Sequence, residues 1–111
     1  MKAVYHQKGD ALDYMNKTDE KIEHGDVVVM GERIGVAGAD ILPGEVGALH
    51  MAGVYSFNKA NTEEITAGTE VFYTENGISS SASEGETGCK AGYAAQDSPT
   101  GSVEVYVKIN A

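Results

Sequence analysis

Apolar and polar residues alternate in short runs along this chain, and most runs end at glycine or a polar cluster. The clearest run is Val103-Glu104-Val105-Tyr106-Val107-Lys108-Ile109. Its period of two predicts a closing strand over 103–109, with Val103, Val105, Val107 and Ile109 on one face. Thr69-Glu70-Val71-Phe72-Tyr73-Thr74 is a second strong strand, followed by Glu75-Asn76-Gly77. Asn-Gly suits a tight hairpin in which both residues take positive φ. Gly25-Asp26 reads as a turn feeding the β-branched run Val27-Val28-Val29-Met30. Gly31-Glu32-Arg33 turns the chain back into Ile34-Gly35-Val36-Ala37. After the turn at Leu42-Pro43-Gly44-Glu45, strands are predicted over 46–51 and 53–57, and a further strand over 89–95.

The remaining segments are less regular. Residues 2–6, Lys-Ala-Val-Tyr-His, alternate like a strand before Gly9-Asp10 breaks the run, and 11–15 alternate weakly. The polar stretch 58–64 admits a helical turn, and 79–86 is serine-rich and is expected to be flexible. No segment carries an amphipathic helix of ten or more residues. Short strands with regular turn signals predict an all-β fold with little helix: a compact small β-barrel or sandwich, β-clip or β-tulip-like, in one domain over 1–111. Within it, 1–15 is expected to form an N-terminal arm.

Two portions of the chain look alike. Ile22-x-x-Gly25-x-x-Val28 matches Ile65-x-x-Gly68-x-x-Val71. Pro43-Gly44-Glu45-Val46-Gly47 matches Glu84-Gly85-Glu86-Thr87-Gly88, and Ala52-Gly53-Val54-Tyr55 resembles Ala91-Gly92-Tyr93. The spacing shrinks along the chain, as deletions in loops would make it. This predicts repeated β-units over 22–57 and 65–95 sharing one core, against a chance recurrence of a common way into a strand.

Composition narrows the functional classes. The 111 residues include 14 glycines, 2 prolines and a hydrophobic fraction of 41%, which is globular rather than disordered. Eight basic residues stand against 17 acidic ones, for a net charge of −9. The lysines are scattered singly, so the basic stripe of a nucleic-acid binder is missing and no direct nucleic-acid contact is expected. No run of about 18 apolar residues is present to span a membrane. The single cysteine, Cys89, excludes an internal disulfide and points to a reducing compartment.

Candidate chemistry is sparse. His6, His24 and His50 are far apart with no His-x-His or His-x-x-x-His pair, so they read as surface or satisfied histidines rather than metal ligands. Cys89 in Gly88-Cys89-Lys90-Ala91-Gly92 does not form a nucleophile elbow and reads as a small apolar residue at a strand start. Gly85-Glu86-Thr87-Gly88-Cys89-Lys90 imitates a phosphate loop, but Cys89 separates the last glycine from the lysine and no helix follows. The pairs Asp19-Glu20 and Glu63-Glu64 lie in polar connections and read as solvated charges. The sequence therefore predicts no enzyme, no cofactor and no metal.

The order of these elements carries a resemblance. Gly9-Asp10, Ile22-Glu23-His24-Gly25-Asp26-Val27-Val28, Ile34-Gly35-Val36-Ala37, Pro43-Gly44-Glu45 and Gly53-Val54-Tyr55-Ser56-Phe57 come first. Then follow Ile65-Thr66-Ala67-Gly68-Thr69-Glu70-Val71-Phe72-Tyr73, Asn76-Gly77-Ile78, Lys90-Ala91-Gly92-Tyr93-Ala94 and the closing strand. This succession resembles a family of small phage proteins, long catalogued as a domain of unknown function and later assigned as capsid cement, or head decoration, proteins. Some members have carried a label as RecA-like recombinases, which the absent phosphate loop argues against here. The resemblance implies a structural virion protein that binds the outer surface of a phage capsid through the major capsid protein and stabilises the shell. It also implies a homotrimer, host cytoplasm before assembly, and no catalytic residues. The segment 13–23 is more charged than in typical members.

Within that reading, Lys2, Val4, Tyr5 and His6 are the candidates for capsid or subunit contact. An unpaired strand there can add to a neighbouring sheet by β-augmentation; an internal strand and a frayed terminus are the alternatives. A small non-catalytic ligand- or carbohydrate-binding β module is the competing function. The absence of tryptophan and an aromatic fraction of 7% disfavour it. An enzyme accessory domain is disfavoured because the sequence ends just after its last strand.

Overall fold

Among the described residues, nine short strands account for the regular structure. The computed structural model describes residues 1–80 and 89–111. The strands are β1 (Ala11–Met15), β2 (Val27–Met30), β3 (Arg33–Ala37), β4 (Val46–His50), β5 (Val54–Asn58), β6 (Glu70–Thr74), β7 (Gly77–Ser79), β8 (Cys89–Ala94) and β9 (Glu104–Ile109). They form two antiparallel sheets, ordered β1-β4-β3-β2 and β5-β9-β8-β6-β7. The fold is all-β and sandwich-like, with no helix among the described residues. The second sheet curls until β5 and β7 meet at one parallel bridge, Lys59 with Ile78, without closing a barrel.

The two sheets share a plan. Following β1, β4, β3 and β2 in the first sheet gives the same order as β5, β9, β8 and β6 in the second. The backbone bonds agree in detail. The Gly25 N–H donates to the Ala37 carbonyl at 2.8 Å, and the Gly68 N–H to the Ala94 carbonyl at 2.7 Å. The Ala37 and Ala94 N–H groups donate in turn to Asp26 and Thr69 carbonyls, each at 2.9 Å. The His24 N–H donates to Asp40 Oδ1 at 2.9 Å, and the Ala67 N–H to Asp97 Oδ1 at 2.7 Å. By these bonds Gly92 takes the place of Gly35, not of Gly53, and the correspondence runs from 11–50 onto 54–109. Gly85 lies outside the described residues. The β6–β7 hairpin has no counterpart in the first sheet, and it offsets the later correspondence in sequence.

The core belongs mostly to the second sheet. Ile34 and Val36 of β3 pack with Phe57, Val71, Ile78, Cys89, Ala91, Val105, Val107 and Ile109 in one buried cluster. Each fully buried Val or Ile side chain there contributes about 1.5–3 kcal/mol relative to exposure. The alternation along β9 buries Val105, Val107 and Ile109. Val103 precedes the strand and is exposed, so the predicted four-residue face has three members.

The two sheets are pinned by Asn110, which adopts positive φ (58°) just past β9. Its Nδ2 donates to the Ile34 carbonyl at 2.8 Å and the Met51 carbonyl at 2.9 Å, and its Oδ1 accepts from the Ile34 N–H at 3.3 Å. Asn16 plays a similar part inside the first half. It is fully buried, and its Nδ2 donates to the carbonyls of Glu20 (2.7 Å) and Ile41 (2.9 Å). Its Oδ1 accepts from the Thr18 N–H and hydroxyl. All four polar positions of that amide are thereby used.

Two local expectations differ from the structure, and a third falls mostly outside the described residues. Residues 58–64 form no helical turn, because the Lys59 and Ala60 N–H groups are committed to the Val103 and Ile78 carbonyls. The β6–β7 loop is Glu75–Asn76, with positive φ at Gly77 (126°) and not at Asn76. Thr74 holds that turn, its hydroxyl accepting from the Asn76 N–H and donating to the Gly77 carbonyl. The serine-rich stretch expected over 79–86 begins inside β7 at Ser79, and 81–88 lie outside the described residues.

Candidate functional site

Residues 1–9 form an exposed arm outside any strand. Lys2, Val4, Tyr5 and His6 are all exposed, Val4 and Tyr5 at 90% and 82%. The alternating run 2–6 thus forms no strand within its own fold. A strand needs a partner for its backbone groups, and none of the described residues pairs with it. The arm departs from the body at Gly9, where φ is +87°, and at Asp10, whose carbonyl accepts from the Met51 N–H at 2.8 Å. An ion pair between Lys8 and Asp10 (3.5 Å) is solvent-exposed and adds little stability. The arm carries Lys2 and Lys8 and no acid, whereas the whole chain has a net charge of −9.

A cavity of about 440 Å³ opens where the first sheet meets the second. Val27 and Val36 form one apolar wall, Tyr55 and Phe57 the other, with His24 and His50 at the polar side. Register explains the convergence. Val36 stands opposite both Val27 on β2 and His50 on β4, so one row across the sheet delivers three wall residues. Gly38 makes room for the His50 ring, since a Cβ there would lie 2.7 Å from Nε2. Val27 and Phe57 also border a smaller cavity of about 220 Å³, whose far side is Tyr73, Thr74 and Glu75.

The structure brings His24 and His50 to one cavity and leaves His6 on the arm. Among the described residues no group of three or more His, Cys, Asp and Glu side chains is placed to hold a metal ion. Cys89 opens β8 and is buried. Burial, reinforced by the Glu32 carboxylate and partly offset by Arg33, pushes its thiol above the ordinary value. Asp19, Glu20, Glu63 and Glu64 are exposed. The glycine loop before Lys90 lies outside the described residues. Sequence spacing alone misses the cavity; the signal for it is the meander β2–β3–β4, which sets His50 beside Val36.

The described residues thus form an all-β body with a basic arm and a cavity where the two sheets meet. A family model described as phage cement protein matches residues 6–109, nearly the whole chain, and the chain belongs to that family. It is therefore a phage structural protein of the capsid. No curated protein and no solved structure matches it.

Proposed function

We propose that this chain binds the outer surface of an assembled phage capsid, through the major capsid protein, and stabilises the head shell as a single domain. The family match over 6–109 carries this reading. It is supported by a body whose polar junctions are satisfied at Asn16 and Asn110, and by an arm that presents Lys2, Val4, Tyr5 and His6 to a neighbour. The matched hydrogen bonds at Gly25 and Gly68 support reading the two sheets as copies of one β-unit. The working form is a homotrimer on the capsid exterior, reached from the host cytoplasm, and its role asks for no catalysis. The cavity with Tyr55, Phe57 and the two histidines favours the second reading, a small-ligand module, but no family finding stands behind it.

The test is co-sedimentation of purified protein with undecorated capsids. The intact chain is expected to pellet with them. Deleting 1–8 is expected to abolish pelleting while the melting temperature stays within a few degrees, because the arm is not part of the core. Failure of the intact chain to bind, under conditions where it is folded, removes the cement reading.

A further inference from the structure

The outer edge of β2 carries no guarding residue of its own. β2 pairs with β3 on one side, and among the described residues no strand lies along its other side. Its residues Val27, Val28, Val29 and Met30 include no charge and no proline, and three are β-branched. Natural sheets blunt open edges with charges, proline, bulges or very short strands, because bare backbone donors and acceptors recruit another strand. Two of the other three edges follow that rule, and the third, β5, is partly covered by a bridge to its neighbour. β1 carries Asp13 at its centre, β7 is three residues long, and Lys59, just past β5, bridges to Ile78. The bare edge is also a lip of the larger cavity, through Val27.

The arm has the properties of the missing strand. Its residues 2–6 alternate, are exposed, and are long enough to cover the four residues of β2. Its charge is complementary. Lys2 stands within the arm strand without an acid beside it, while Asp26 and Glu32 flank β2 and Glu75 stands at the smaller cavity, against one base, Arg33. The arm does not reach its own β2. β1 and β2 are the opposite edges of the first sheet, so a strand added outside β2 lies four spacings from β1, about 19 Å. The five steps from His6 to Ala11 span at most about 18 Å, before any detour around the sheet.

We infer that residues 2–6 of one copy add as a fifth strand to the β2 edge of a second copy, with Tyr5 filling the cavity between the sheets. This rests on the cement reading for the arm's role and deepens it by naming the arm's receptor, a second copy of the same chain. The contact is head-to-tail, so repeating it closes a ring or runs on as an open chain. A closed ring is the form compatible with a discrete oligomer.

Sedimentation of the intact chain, the 1–8 deletion, Val29→Lys and Tyr5→Ser tests this. Val29 is already 38% exposed, so lysine there guards the edge without emptying the core, and melting curves confirm that the variant is folded. Tyr5→Ser lies in the exposed arm and leaves the body untouched. The intact chain is expected at a multiple of the monomer mass, the deletion and Val29→Lys as monomers, and Tyr5→Ser with weakened association. A monomeric intact chain, or association that survives Val29→Lys, overturns the inference. The capsid assay separates this from the cement reading: an intact chain that is monomeric yet still pellets with capsids overturns the arm-to-edge contact and leaves capsid binding standing.

Discussion

The first sheet and the second are built on one strand order, yet they stand on different foundations. In the second, β8 and β9 alternate between β6 and β5 and bury Cys89, Ala91, Ala94, Val105, Val107 and Ile109. In the first, β3 is buried along most of its length, while β1, β2 and β4 are half-exposed. The equivalent junctions differ in kind as well. Asn16 ends β1 with a fully used amide, whereas Lys59, just past β5, reaches the Pro99 carbonyl at 3.5 Å. One plan therefore serves two tasks: the second sheet holds the fold, and the first carries the arm and the open edge on a thinner support.

The sharpest way to break that comparison lies at paired glycines. Gly92 has φ of +143°, and a Cβ there would lie 2.0 Å from the Lys108 carbonyl oxygen, which β9 holds in place. Gly92→Ala is expected to cost more than about 4 kcal/mol in denaturant unfolding, or to prevent folding. Gly35 is its counterpart, and its added Cβ would meet Met51 Sδ at 2.9 Å and Leu49 carbons at 3.1 Å. Those are side-chain atoms that can shift, so Gly35→Ala is expected to cost about 1–3 kcal/mol. Equal losses at the two sites would mean that both sheets carry the fold alike.

A middle-sized effect is expected at the junction residues. Asn16→Ala leaves the Ile41 carbonyl without its side-chain donor and is expected to cost about 1–3 kcal/mol. Lys59→Met keeps most of the apolar stem and loses one long contact, so less than about 1 kcal/mol is expected. The reverse order would show that the second half depends on its lysine more than the first depends on its amide. The smallest effect concerns pH. The folded state holds the Cys89 thiol proton more tightly than the unfolded chain does. Its contribution is therefore complete below the ordinary thiol pKa and declines as pH rises through it. Melting temperatures measured up the alkaline range should fall more steeply for the native chain than for Cys89→Ala; identical slopes would remove Cys89 as a cause.

The strands and their turns were legible because period-two burial writes itself into the residues, most plainly at Val105, Val107 and Ile109. Gly25 and Gly68, set in like sequence surroundings, each donate to an alanine carbonyl, Ala37 and Ala94. The later correspondence of the two sheets was not legible, because an extra hairpin in one sheet looks in one dimension like a set of shorter loops in the other. Which way Lys2, Val4 and Tyr5 would go was equally hidden. Alternation shows that a segment can be a strand but not which edge will receive it. The cavity depends on the rows across three strands, a property of register rather than of any local motif.

Asn110 has a consequence for how the molecule is made. Its side chain closes on Ile34 across a sequence separation of 76 residues, and β9, made after the other eight described strands, lies between β5 and β8 inside its sheet. During translation the first hairpins can form early, but the joint between the sheets has to wait for Asn110. Such distant closures slow folding, so the nascent chain presents the uncharged β2 edge on the ribosome before its support is complete.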